Sequence, residues 1–157
     1  MPEAPSTGQQ HGGILRGENK EAIKETTGRI KHALIEQYGY APELIFEMRG
    51  GRKVYAYKNC SFDVKAHVEK GIYFGRVEAD GIRLTIEGAF LVGPNATKNV
   101  IEIDEEKALK WMSGEDIEAE GEGWVILKWG EYFLGGGKAK NGIVKNYISK
   151  DRRIKLE

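Results

Sequence analysis

The sequence predicts an α+β fold: a small mixed or mainly antiparallel sheet, curved into a barrel, with two helices against it. Two observations carry that expectation. Apolar residues recur every three to four positions up to Tyr38, and then the period drops to two. After that point short extended runs follow one another closely, each bounded by turn residues such as Gly50-Gly51, Asp80-Gly81 and Asn141-Gly142. The chain has 157 residues, 40% of them apolar, which suits one packed core and is too short for two full-sized domains. Three Trp, seven Tyr and five Phe argue against wholesale disorder.

Taken in order, residues 1–17 are rich in Gly, Pro and Gln and read as a flexible lead-in, with a single domain expected over 18–157. A helix is predicted from Asn19, placed to cap it, to Tyr38, with Ile23, Ile30, Leu34 and Tyr38 near one face and Gly39 closing it. Thr26-Thr27-Gly28 are poor helix formers, so the segment reads equally as two short helices. Leu44 to Tyr57 forms a hairpin about Gly50-Gly51, and Ile72–Glu78 with Ile82–Glu87 forms a second about Ala79-Asp80-Gly81. Gly88–Val92 adds an apolar segment that Gly93-Pro94-Asn95 ends, and Val100–Ile103 is a short strand. Asp104 caps a helix whose first turn holds Glu105 and Glu106, which complements the helix dipole, and Gly114 stops it. Trp124–Trp129, Tyr132–Leu134 and Ile143–Ile148 are the remaining strands.

Composition excludes several classes of function. No apolar run approaches the roughly 18 residues that span a bilayer, and the first residues lack the basic and apolar regions of a secretory signal. The sequons at Asn59 and Asn95 are then chance matches, and a soluble, cytoplasmic protein is expected. One cysteine, Cys60, excludes an internal disulfide, and scattered His11, His32 and His67 suggest no zinc cluster. Gly135-Gly136-Gly137-Lys138 has neither the spacing nor the following helix of a phosphate loop. Those glycines either bend a strand or let another backbone, such as RNA, come close. Cys60 has no local base, and the paired acids at Glu105/Glu106 and Glu115/Asp116 lie on a helix and its exit, so no catalytic residue, cofactor or metal is expected. Trp111, Trp124 and Trp129 read as core.

Charge is balanced overall, with 24 bases and 24 acids, but not locally. Between Glu102 and Glu122 nine acids face two lysines, a net of −7. From Lys138 to Glu157 seven bases face two acids, a net of +5. The acidic stretch is either a solvated face, as in a heat-adapted protein, or a docking surface. In the basic stretch Lys138, Lys140, Lys145, Lys150, Arg152 and Arg153 are interleaved with Asn146 and Tyr147. Cations for phosphates, an amide for base edges and a ring for stacking are the ingredients of RNA recognition. A basic edge strand that discourages sheet-to-sheet pairing has the same composition.

Gly123-Trp124-Val125-Ile126-Leu127, Gly130-Glu131-Tyr132-Phe133-Leu134-Gly135, Gly137-Lys138 and Gly142-Ile143-Val144-Lys145-Asn146-Tyr147 resemble the PUA-like RNA-binding domain. The version they are closest to follows the catalytic domain of Nol1/Nop2/Sun (RsmF-type) RNA cytosine-5 methyltransferases. Ile103 to Glu115 is similar to that domain's acidic helix, and Gly71 to Arg76 to the segment that opens it, so the resemblance spans roughly Leu44 to Arg153. Where the family continues Asn-Tyr-x-Pro-Lys-Gly, this chain has Asn146-Tyr147-Ile148-Ser149-Lys150-Asp151.

The resemblance implies a PUA-like pseudobarrel with two or three short helices, and a non-catalytic, stand-alone module that recognises structured rRNA or tRNA. It would act in RNA modification or ribosome assembly, in trans with an RNA methyltransferase or beside a ribosomal protein. Phosphates would meet Lys138, Lys140, Lys145, Lys150, Arg152 and Arg153, Tyr147 would stack, and Asn146 would hydrogen-bond. The rival expectation is a protein-interaction subunit that docks a basic ribosomal or modification protein through the acidic 102–122 surface. A small-ligand or enzymatic relative of the same fold would need a deep pocket of titratable groups, which the sequence does not offer.

Overall fold

The first helix, α1 (Gly17–Tyr38), opens the computed structural model, which describes residues 17–58 and 71–155. It is one helix, already helical at Gly17, so Asn19 lies inside it and is not its cap. Its weak middle is held by a tertiary contact. The Thr27 hydroxyl accepts the Phe46 N–H at 2.9 Å and donates to the Phe46 carbonyl at 3.2 Å. Ile30, Leu34 and Tyr38, four residues apart, are the buried face. Gly39 ends the helix at φ +80°, its N–H reaching the Ile35 carbonyl at 2.9 Å.

Strands β1 (Ile45–Arg49), β2 (Lys53–Tyr57), β3 (Ile72–Glu78) and β4 (Gly81–Leu84) form an antiparallel sheet in that order. Both expected hairpins are present, about Gly50-Gly51 and Asp80. Phe46, Val54, Ala56, Phe74, Ile82 and Leu84 alternate onto the face under α1. The opposite face carries Arg49, Lys53, Tyr55, Tyr73, Arg76 and Arg83, placed by the same register.

The second hairpin ends sooner than its apolar pattern predicts. Thr85 caps a helix, α2 (Ile86–Val92), its hydroxyl accepting the Gly88 N–H at 2.9 Å. The residues expected to extend the strand to Glu87, and the apolar segment after it, are therefore helical. A five-stranded sheet follows, ordered β5-β7-β8-β9-β6. Its strands are β5 (Val100–Glu102), β6 (Ile117–Glu118), β7 (Gly123–Trp129), β8 (Tyr132–Lys140) and β9 (Ile143–Lys145). Only β5 and β7 are parallel. Helix α3 (Glu105–Met112) is capped as expected, with Asp104 Oδ1 accepting the Lys107 N–H at 2.9 Å. The two-residue β6 is too short to have a period of its own, and β9 stops at Lys145 rather than Ile148.

Strand β7 is buried on both faces, which explains its unbroken apolar run. Ile126 joins the core of the first sheet, whereas Val125 and Leu127 join a second core with Trp111 and Val144. The two sheets meet where β8 passes β4, and Gly135–Gly137 are strand residues at that crossing. A Cβ on Gly136 would stand 2.9 Å from the Leu84 carbonyl oxygen, and one on Gly137 would stand 2.5 Å from the Trp111 ring. At these two positions the close neighbour is the protein's own structure, and the β7–β8 register shifts beside them, between Ile126 and Lys128, so the glycines sit at an irregular, tightly packed part of the strand. Strand pairing among the described residues closes neither sheet into a barrel.

Candidate nucleic-acid interface

The Asn141-Gly142 turn, both residues at positive φ, sets the β8–β9 register. That register puts Lys138 opposite Lys145, and β7 puts Trp124 on the other side of Lys138. Trp124, Lys138 and Lys145 thus form one row across three strands. Tyr147, two residues beyond Lys145, returns to the same side. Its ring lies 5.3 Å from that of Trp124, tilted by 56°. Lys138 Nζ lies 5.2 Å from the Trp124 ring centre and Lys145 Nζ 5.7 Å from that of Tyr147. From β4, the Arg83 guanidinium covers the Tyr147 ring at 4.7 Å. All three fall within the roughly 6 Å over which a ring attracts a cation.

Two lysines facing each other across a strand pair repel, and Asp80 offsets this. It sits in the turn between β3 and β4, where Oδ1 accepts the Trp124 indole N–H at 2.8 Å and Oδ2 takes the Lys138 ammonium at 2.5 Å. The hydrogen bond from Lys138, then that from Trp124, holds the Asp80 carboxyl below the usual carboxylate range, and the same bond pushes the Lys138 pKa up.

Beside the cluster a groove of about 480 Å³ runs between the end of β4 and the C-terminal segment, lined in part by Tyr73, Arg83, Thr85, Tyr147, Ser149 and Arg152. Gly135, at φ +107°, forms part of its floor. Arg152 reaches Glu87 through two bonds of 3.1 and 3.0 Å, and this pairing lowers the Glu87 pKa and raises that of Arg152. The arrangement sets phosphate-binding cations on one rim beside the half-buried Tyr147 ring, which the Arg83 guanidinium overlies.

The expected site residues divide. Lys138, Lys145 and Tyr147 come together, and Lys140 extends the row as an exposed residue at the end of β8. Arg152 lines the groove but is ion-paired, and Lys150 is exposed on the turn before it. Asn146 faces inward. Its Nδ2 donates to the Trp111 and Glu115 carbonyls at 2.7 and 3.0 Å, and its Oδ1 accepts the Ile148 N–H at 2.8 Å. Arg153 likewise bonds the Ile148 carbonyl at 2.9 Å and packs over Gly114. These two side chains tie the C-terminal segment to α3.

The places of Arg83 and Asp80 in the cluster, and of Trp124 beside Tyr147, are not legible in the sequence. Trp124 is only 5% exposed and does belong to the interior, yet its ring lies against Lys138 and Tyr147. Asp80 carried a turn signal and nothing else. Cys60, His67 and His11 lie outside the described residues. Among the described residues no group of three His, Cys, Asp or Glu is placed to hold a metal, and no helix is long and apolar enough to cross a membrane.

Two comparisons with known proteins bear on this part of the chain. Residues 98–154 match the family model of the methyltransferase RsmF PUA domain, a stretch that includes α3 and every residue of the C-terminal cluster except Arg83 and Asp80. The chain is also 34% identical over 84 residues to the ribosomal RNA small subunit methyltransferase F of Aeromonas salmonicida (strain A449), covering 52% of this chain. It spans 18% of the length of that relative. The resemblance to the PUA domain of RsmF-type methyltransferases therefore holds over residues 98–154, which carry Trp124, Lys138, Lys145 and Tyr147 but not Asp80 or Arg83.

Proposed function

We propose that this chain is an RNA-binding module of the PUA-like pseudobarrel type, which recognises structured rRNA or tRNA during RNA modification or ribosome assembly. The observation that carries the reading is the cluster of Trp124, Lys138, Lys145, Tyr147 and Arg83, in which three cations lie against two rings at one sheet junction. A basic edge that serves only to discourage sheet pairing needs charge alone. It does not need a guanidinium from another sheet laid over a tyrosine ring. The relative's printed name, a small-subunit ribosomal RNA methyltransferase, supports rRNA as the first target to test. In this reading the module positions RNA and performs no chemistry on it, which leaves the methyl transfer to a catalytic domain in the same or another chain.

The test is a titration of labelled rRNA fragments at several salt concentrations, with the chain and with a Lys145→Glu/Arg83→Glu variant. Binding that weakens on charge reversal, with a shallower salt dependence, supports this surface. An unchanged slope removes it.

A second reading is favoured by a separate observation. All nine acids between Glu102 and Glu122 are exposed, and among the described ion pairs only Glu102 has a partner, Lys128 at 3.8 Å. That surface would dock a basic ribosomal or modification protein. Copurification of such a protein after nuclease treatment, lost when Glu105, Glu106, Glu115 and Glu118 become Gln, supports it. Recovery of RNA alone counts against it.

A further inference from the structure

The outer face of the first sheet carries aromatic and cationic side chains that the C-terminal cluster does not explain. Strands β2 and β3 pair with Tyr55 opposite Tyr73, and the two rings stack at 5.4 Å with 27° between their planes. The Arg49 guanidinium lies over the Tyr55 ring at 4.2 Å, and Lys53 Nζ stands 5.5 Å from the centre of Tyr73. Both rings are half-buried and face away from Val54, Ala56 and Phe74, so they are not part of the core. Further along the face, Glu78 meets Arg52, Arg76 and Arg83 at 3.6, 3.7 and 3.3 Å. One carboxylate cannot neutralise three guanidiniums. Over the whole face five cations (Arg49, Arg52, Lys53, Arg76 and Arg83) stand against Glu47 and Glu78, a net of +3.

This surface is continuous with the candidate interface. Tyr73 and Arg83 line the same groove as Tyr147, so a polymer leaving the Lys138–Lys145 row through the groove arrives at Tyr73 and then Tyr55. It also lies before residue 98, where the match to the RsmF PUA domain begins.

We propose that the Tyr55–Tyr73 face is a stacking platform for unpaired RNA nucleotides, prolonging the path of the RNA held by the C-terminal cluster. The inference rests on the RNA-binding reading above and adds to it the class of nucleotide and the place where it lies. Duplex bases have their faces covered by their neighbours, whereas a splayed nucleotide can lay its base on a tyrosine ring. The cations over and beside the two rings, Arg49 and Lys53 among them, neutralise the accompanying phosphates.

The experiment compares two labelled RNAs, a stem–loop with a blunt end and the same stem–loop with an unpaired uridine tail of about six nucleotides, within the span one such surface covers. The tail is expected to tighten binding by roughly tenfold, the size of one to two stacked bases. Tyr55→Leu, which keeps apolar bulk and discards the ring, reduces that gain to about twofold or less, while Tyr55→Phe retains it. Crosslinking with 5-iodouridine in the tail returns peptides holding Tyr55 or Tyr73. A Lys138→Glu/Lys145→Glu variant weakens binding of both RNAs.

If the blunt stem–loop binds and the tail adds nothing, or if Tyr55→Leu keeps the full gain while melting like the parent, the platform is overturned and the C-terminal reading stands. If neither RNA binds the unaltered chain, the RNA reading fails and this inference fails with it. Competition by a polyglutamate peptide that Tyr55→Leu abolishes overturns the proposal by reassigning the face to an acidic protein.

Discussion

The Asp80 carboxylate joins the indole N–H of Trp124, at 2.8 Å, to the ammonium of Lys138, at 2.5 Å. A turn of the first sheet is thereby fastened to the neighbouring strands β7 and β8 of the second, at the place where the candidate interface forms. The same carboxylate also cancels one of the charges an RNA phosphate would meet. Asp80→Asn keeps an acceptor for the indole and releases Lys138. We expect RNA binding to tighten and its logarithmic salt slope to steepen by about 0.7 to 0.9, the contribution of one phosphate contact. An unchanged slope would mean that Lys138 touches no phosphate. Because the folded Asp80 pKa lies below its unfolded value, the clamp is fully formed above about pH 4 and is lost only as pH falls through the lower folded value. Binding measured from about pH 5 to pH 8 therefore shows no step from this group.

Asn146 and Lys145 are neighbours with separable roles. The Asn146 side chain uses both amide hydrogens and its oxygen within the fold, whereas Lys145 is exposed. Asn146→Ala should cost about 1–3 kcal/mol of stability, because the carbonyls of Trp111 and Glu115 lose a donor. Urea unfolding reads this directly. Lys145→Ala should leave the unfolding midpoint nearly unmoved and weaken RNA binding. The reverse pattern would return Asn146 to the binding surface.

What the sequence made legible follows from how local each signal is. Gly39, Asp104 and Asn141-Gly142 act on their own neighbours, and all three sit where their chemistry places them. Thr85 is as local, but it is hidden in an apolar run that reads as strand, so the sequence pattern does not reveal α2. The unity of α1 depends on Thr27 meeting Phe46, nineteen residues away, which no helix propensity encodes. The candidate site shows the same division. Lys138, Lys145 and Tyr147 lie within ten residues, and strand alternation puts them on one side. Arg83 reaches Tyr147 only because β4 crosses β8, and Asn146 turns inward because the carbonyls of Trp111, in the last turn of α3, and Glu115, just past it, accept its amide hydrogens.

The glycines at that crossing give a third test. A methyl group on Gly136 would press on Leu84 backbone atoms at 2.9 and 3.0 Å, which cannot rotate away, so the sheets must separate. Gly136→Ala should destabilise by about 1–3 kcal/mol and distort the groove floor. Gly28, in the exposed middle of α1, has nothing within 4 Å of such a methyl. Gly28→Ala should stabilise by about 0.8–1 kcal/mol, the difference in helix propensity. Thermal melts of the two variants should move in opposite directions. Equal shifts would mean that the two sheets do not approach as closely as Gly136 requires.

Tyr38 supplies a prediction at alkaline pH. Its ring is fully buried and its hydroxyl donates to the Ile82 carbonyl at 2.9 Å. Burial pushes the phenol pKa far above its ordinary value, against a smaller lowering by Gln37. The folded pKa is thus raised while the unfolded one stays near 10, so the unfolded chain binds fewer protons once pH exceeds about 10. Stability from this group is fully present below that pH and falls as pH rises toward the folded value. Tyr38→Phe removes the titration. At neutral pH it should cost under about 1 kcal/mol, because the Ile82 carbonyl still receives Gln37 Nε2 at 3.0 Å. Urea unfolding at about pH 8 and about pH 11 should therefore show the parent losing more stability than the Phe variant between the two conditions. Parallel losses would mean that the Tyr38 hydroxyl reaches water in the folded protein.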